Sequence, residues 1–213
     1  MSAIAQSTEV WEILNRNIFF VKNAVKRLEA KTSDKFDVYD PNNRELVLEC
    51  READLGAITK ARRLAGGHYD TGSPFNYVAT MPGSDQQVLR ISRRVPFLSI
   101  GKPSMEVYDS NDVQIASLKT KFFSLSQSFI VSLSAGVQVL KVKHKGLTGY
   151  RFVLQDKEVA TMTSKWNGHQ SDYFGQGFDY AVSIADDVPP NDRVRPLVLA
   201  FALAIKRILK AGF

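Results

Sequence analysis

Basic side chains are the one chemical group that recurs in clusters along this chain. Lys141, Lys143 and Lys145 alternate in VLKVKHK, so a strand would place them on one face, with Leu140, Val142 and His144 on the other. Arg90, Arg93 and Arg94 gather at the end of a second predicted strand, Lys60, Arg62 and Arg63 form a third group, and Lys119 with Lys121 a fourth. Brought together, such groups would make an anion-binding face suited to lipid headgroups, where each basic side chain near the surface contributes about 1 kcal/mol. Left apart, they are the solvated faces of half-buried strands.

Catalytic chemistry finds little to build on. The histidines are His68, His144 and His169. His68 follows Gly66-Gly67 in a loop, and His169 lies in NGHQSD near Asp172. Either could serve as a base or a ligand, but neither has an identifiable partner, and such loop histidines also occur as plain polar surface. No G-x-S-x-G, H-E-x-x-H or P-loop pattern occurs. GGHYDTG is glycine-rich but lacks the lysine and the helix signal of a phosphate cradle. Cys50 shares parity with Leu48 and Leu46 in a predicted strand, which makes it a core residue with no sign of activation. The sequence therefore predicts a protein that is not an enzyme and needs no cofactor.

The 213 residues carry a formal net charge of +6, with 44% hydrophobic and 23% charged residues. That balance fits one globular domain with a real core and a surface that favours anionic partners. Nucleic acid would be one such partner, yet there is no helix-turn-helix, zinc-finger or RNP-like pattern to read it. With Cys50 the single cysteine, neither an internal disulfide nor a CxxC zinc site can form. The opening MSAIAQSTEVWEILNR lacks the basic start and apolar run of a signal peptide. A reducing, cytoplasmic setting is the expectation, with peripheral contact to a membrane as a possibility.

The elements that must position the basic groups are mostly strands. FDVYDPNNRELVLECRE aligns with MEVYDSNDVQIASLKTK: Val38-Tyr39-Asp40 matches Val107-Tyr108-Asp109, and Asn42 matches Asn111. A third copy, shorter at the turn, is YRFVLQDKEVATMTSKW, and two further segments turn at Pro82-Gly83 and Ala135-Gly136. About five tandem hairpins result, and an all-β closed antiparallel barrel is the expected arrangement because it leaves no exposed edge. Near the N-terminus, Val10, Leu14, Ile18, Val21, Val25 and Leu28 recur at helical spacing, with Ser7 or Thr8 able to cap the start. The run Ile18-Phe19-Phe20-Val21 reads equally well as a strand, so helix or strand stays open after residue 17.

The C-terminal stretch VRPLVLAFALAIKRILKAGF contains nine consecutive apolar residues, Leu197 to Ile205. A membrane span needs about 20, and a shorter helix that is apolar all round belongs in a core. The expected organisation is a single domain, 1–213. It comprises an N-terminal helix or strand segment (1–30), a barrel (31–185) and a hydrophobic core helix (194–211) without a transmembrane span.

The order of these stretches resembles the phospholipid scramblase family, which groups with the LURP-one-related and tubby-like proteins. KFDVYDPNNRELVLECRE, FNYVATMPGSDQQVLRISRR and YRFVLQDKEVATMTSKW look like successive family hairpins, and DYFGQGF (172–178) fits its D-x-F-G-x-x-F segment. The resemblance spans roughly residue 36 to the C-terminus and implies a barrel of about 12 strands enclosing the C-terminal helix. It also implies a calcium-binding loop, but Gln170 and Ala181 stand at its opening and closing positions, leaving Asp172 and Asp179. Two carboxylates fall short of the six to eight oxygens calcium takes. The cysteine cluster and Pro-rich leader of eukaryotic scramblases are missing from this sequence as well.

Three functions follow as alternatives. The first is non-catalytic binding of anionic lipid headgroups through Lys141, Lys143, Lys145, Arg90, Arg93, Arg94, Lys119 and Lys121. The second is a protein-binding scaffold or regulatory barrel. The third is lipid scrambling, which a buried helix disfavours.

Overall fold

The computed structural model describes residues 7–24, 34–53, 74–93, 104–120, 128–133, 139–145, 149–163 and 179–209. A short helix, α1 (Thr8–Leu14), is followed by β1 (Ile18–Asn23), β2 (Lys35–Tyr39), β3 (Leu46–Glu52), β4 (Phe75–Thr80), β5 (Gln87–Arg93) and β6 (Ser104–Tyr108). Then come β7 (Gln114–Thr120), β8 (Ser128–Leu133), β9 (Val139–Lys145), β10 (Gly149–Leu154), β11 (Lys157–Thr163), β12 (Tyr180–Ile184) and the final helix α2 (Val194–Leu209). The twelve strands pair in sequence order, and β1 closes on β12, so the sheet is a closed antiparallel barrel.

Alternation in the sequence becomes inside and outside. In β4 the buried residues are Phe75, Tyr77 and Ala79, with Asn76, Val78 and Thr80 between them less buried. In β2, Phe36 and Val38 are buried; they oppose Cys50 and Leu48 of β3, so one inward row continues from strand to strand.

The repeated Val-Tyr-Asp turns out to be turn chemistry. Asp40 Oδ1 accepts from the Asn42 amide at 2.7 Å, and Asp109 Oδ1 accepts from the Asn111 and Val113 amides at 2.9 Å. Each carboxylate thereby organises the hairpin loop that follows it. The same loops hold Arg44 and Asp112 at φ of 60° and 63°, left-handed conformations that these side-chain bonds help to fix. In the third copy Gln155 and Asp156 both have positive φ, 48° and 64°, as a two-residue type I′ connection requires. Gly83 at φ 68° takes the same role after Pro82. The expected turn at Ala135-Gly136 lies outside the described residues.

The undecided N-terminal stretch divides. Ser7 Oγ accepts from the Val10 amide at 3.4 Å and caps α1, which buries Val10, Trp11, Ile13 and Leu14. Ile18 to Asn23 then form a strand, not a continuation of the helix, and the barrel starts there instead of at residue 31. Helical spacing of Ile18 and Val21 was misleading because Phe19 and Val21 alternate inward, and β1 supplies the pairing that joins β2 to β12.

α2 fills the barrel. Every residue from Val194 to Ile205 is buried, so this turn-by-turn apolar surface meets protein on all sides. The helix contacts β5 as well as β11 and β12, and Phe201 packs edge-on against Phe152 (5.3 Å between ring centroids) and Tyr150 (5.9 Å). Each fully buried Leu or Phe of this kind contributes roughly 1.5–3 kcal/mol. No helix among the described residues is long and apolar enough to cross a membrane.

The two ends of the barrel differ. One end carries the short turns after β2, β4, β6 and β10, and α1 closes it. Gln86 Nε2, in the turn after β4, donates to Ser7 Oγ at 3.0 Å. Arg195, at the start of α2, is only 3% exposed and donates to the carbonyls of Val188 (2.7 Å), Pro189 (2.9 Å) and Asn15 (3.0 Å) and to Asn17 Oδ1 (3.0 Å). Burial lowers its pKa from the usual arginine value, with Asp192 acting in the opposite sense. Sequence reading had passed over this residue.

Candidate anion-binding face

β9 does set its lysines outward: Leu140 and Val142 are buried, Lys141 and Lys145 exposed, and Lys143 half-buried. His144 shares the inward parity of Leu140 and Val142 but sits near the strand's end, exposed, with its ring 4.4 Å from that of Tyr150. Burial pushes the Tyr150 hydroxyl up to about 12.

The three lysines are not equivalent. Lys141 Nζ lies 3.6 Å from Asp156 Oδ1, and Lys145 Nζ lies 3.0 Å from Glu158 Oε1. Lys143 lies directly opposite Arg151 of β10 in the antiparallel register. Neither Lys143 nor Arg151 forms an ion pair or side-chain hydrogen bond with any described residue. Like charges set opposite each other across two strands are unfavourable, so this pair is a local concentration of positive charge that folding alone does not require.

The row containing that pair continues in hydroxyls. Arg151 opposes Thr161 of β11, and Thr161 opposes Ser183 of β12; both are half-buried on the outer face. Two cations followed by two hydroxyl donors, at strand spacings of about 4.8 Å, form a shallow surface able to hold the oxygens of a phosphate or carboxylate. Sequence reading missed Arg151 and Thr161. The three residues between β9 and β10 (146–148) could have given the first pairing, but only once both strand ends were known.

Of the other predicted groups, Lys119 belongs to the same side of the barrel. It opposes Ile130, which opposes Lys141, so Lys119 and Lys141 share a row two strands apart, about 10 Å. Arg90 and Arg93 do not join the face. Both lie on β5, four strands from β9. Arg90 Nε donates to Asp112 Oδ1 at 2.7 Å, and its guanidinium covers the Tyr108 ring at 3.8 Å. That hydrogen bond raises the Arg90 pKa and lowers that of Asp112. Arg93 opposes Phe75 on the inward row and is 6% exposed, so it is an interior side chain. Arg94, Lys121, Lys60, Arg62, Arg63, His68, His169 and Asp172 lie outside the described residues.

Asp179 has a structural task. Its Oδ2 accepts from the Asn23 amide at 2.7 Å, and its own amide donates to the Val21 carbonyl at 2.9 Å, which ties the start of β12 to β1. Among the described residues no group of three or more His, Cys, Asp or Glu is placed to hold a metal. Cys50 is fully buried, and desolvation raises its thiol pKa well above the usual range. A groove of about 390 Å³ outside β3 and β4 includes Glu49, Arg51, Thr80 and Asp85 in its wall. Arg51 already pairs there with Asp37 (2.8 Å) and Glu49 (3.2 Å), so the groove offers an anion no uncommitted cation.

No family model, no curated protein and no solved structure matches this chain.

Proposed function

We propose that the protein is a non-catalytic barrel that binds anionic phospholipid headgroups at a membrane surface through the outer face of β9, β10 and β11. The observation that carries this reading is the cross-strand pair Lys143 and Arg151, opposed in register and without a counter-ion among the described residues. Most other described surface cations near carboxylates are neutralised, as Lys141, Lys145 and Arg90 are. An anionic surface would relieve the repulsion between the two and gain about 1 kcal/mol from each.

The enclosed helix supports binding over scrambling. Val194 to Ile205 are surrounded by the strands, and exposing them to a bilayer would empty the barrel's interior. The family proposal, a scramblase-like and tubby-like protein, rests on the order of the hairpin motifs, and a barrel closed around a C-terminal helix is compatible with it.

Flotation with neutral and with phosphatidylserine-containing vesicles, at low and high salt and with and without calcium, tests the function. Binding to the anionic vesicles alone, abolished by salt and indifferent to calcium, is expected. Lys143→Glu with Arg151→Glu should remove it. Salt-resistant binding would point to insertion of α2. A chain that floats with neither vesicle has no such function, and the scaffold reading would take its place.

A further inference from the structure

The barrel is polarised along its axis. Residues 7–17, 40–45, 81–86, 109–113, 155–156 and 185–195 form the end closed by α1, and they contain eleven carboxylates, four arginines and no lysine. That end has a formal charge of −7, whereas the remaining described residues carry +6.

The surface pairs follow this polarity. Strand cations nearest the acidic end are matched by its turn carboxylates: Arg90 by Asp112, Lys141 by Asp156 and Lys157 by Asp187. Lys143 and Arg151 each lie two residues further along their strands than Lys141 and its partner Val153, and neither pairs with those carboxylates.

We propose that the protein docks on an anionic bilayer in one posture, with the β9–β10 face against the headgroups and the α1 end turned away from them. This rests on the lipid-binding function proposed above. A strand of six or seven residues spans about 20 Å, more than twice the Debye length of about 8 Å at physiological ionic strength. With the far ends of β9 and β10 nearest the lipid, the acidic end stands where the surface potential has decayed, apart from Asp156, which sits beside Lys141 at the margin of the face. In the inverted posture the net negative charge of that end would meet the lipid and the Lys143–Arg151 pair would be lifted away. The charge distribution thus acts as a torque that selects orientation before any close contact forms.

Single labels read the posture directly. Cys50 is buried, so an environment-sensitive thiol dye can be placed at Ser84→Cys, in a turn of the acidic end, or at Thr161→Cys, on the docking face. With phosphatidylserine–phosphatidylcholine vesicles, the dye at position 161 should become shielded from an aqueous quencher by several-fold, while the dye at position 84 stays as accessible as in free protein. Equal shielding at both positions, or shielding at position 84 alone, overturns the single posture while leaving lipid binding intact. Absence of co-sedimentation of the unlabelled protein with the same vesicles overturns lipid binding and the posture together.

Discussion

Arg195 Nη1 donates to the carbonyl of Asn15 at 3.0 Å, a contact that joins residues 180 positions apart. Through it the first turn of the core helix is fastened to the end of α1. The other donors of the same guanidinium reach the Val188 and Pro189 carbonyls and Asn17 Oδ1, so one side chain pins α1, the start of β1 and the approach to α2. These partners, with the Arg16 carbonyl at 3.4 Å, are all neutral oxygens, and the charge sits at a helix N-terminus, where the dipole opposes it. The arrangement is stable because every buried donor-acceptor pair is satisfied, not because opposite charges meet.

Arg195→Ala should therefore be costly, by roughly 3 kcal/mol, since it leaves the buried Val188 carbonyl and several partly buried oxygens without their donor. Urea unfolding checks this: the midpoint should fall with little change in slope. Arg195→Met, which fills the volume but restores no hydrogen bonds, should recover only part of the loss. Full recovery by Met would mean that packing, not hydrogen bonding, is the residue's contribution.

Asp40 and Asp109 permit a paired comparison. Each caps its hairpin loop through Oδ1, but Asp40 Oδ2 also accepts from Arg16 Nη1 at 2.6 Å. Asp109→Ala should cost on the order of 1 kcal/mol and Asp40→Ala somewhat more, because a partly buried ion pair is lost as well. The two should add, since they sit in separate hairpins with no shared partner. Thermal or urea denaturation of the single and double variants measures both points.

These aspartates also mark what the sequence reveals. Their repetition, with an asparagine two residues on, exposes the hairpins because turn geometry is local and is encoded by neighbouring residues. The apolar run Leu197 to Ile205 is legible for a similar reason: nine apolar residues cannot face water on any side of a helix. Arg195 is not legible, since its acceptors come from two segments, 15–17 and 188–189, that only the closed barrel brings together. Nor is the Lys143–Arg151 pair, which depends on strand register. Arg93 shows the same limit from the other side, for one residue of shift in register separates a surface cation from an interior one. β1 was ambiguous because its inward residues fit both periods until its two pairing partners were known.

High pH should weaken the fold through its buried tyrosines. Burial raises the pKa of Tyr150 to about 12 and raises that of Tyr180 as well, with Asp179 adding to the latter. A phenol whose folded pKa exceeds its unfolded value near 10 contributes stability that is complete below that value. The contribution declines as pH rises through the interval up to about 12, where the unfolded chain ionises first. Absorbance near the phenolate band should show these groups silent until the barrel opens, and Tyr150→Phe should reduce the loss of stability between those limits. A Tyr150 that titrates at the ordinary value in the folded protein would contradict its burial against Phe201.

The flanking carboxylates of the basic face supply the last test. Asp156 and Glu158 partly neutralise Lys141 and Lys145, both of which are about half exposed. Exposed pairs of this kind contribute little to stability, on the order of 0–1 kcal/mol, yet they subtract directly from the potential that an anionic surface meets. Asp156→Asn with Glu158→Gln should therefore leave the unfolding midpoint nearly unchanged and raise affinity for phosphatidylserine vesicles several-fold at low salt, with a steeper salt dependence. Adding Lys143→Glu to that double variant should cancel the gain, because the released lysines act on the same surface as the uncompensated pair. If neutralising the carboxylates leaves vesicle affinity unchanged while Arg51→Glu, on the other side of the barrel, lowers it, the lipid-facing surface is not the β9–β10 face.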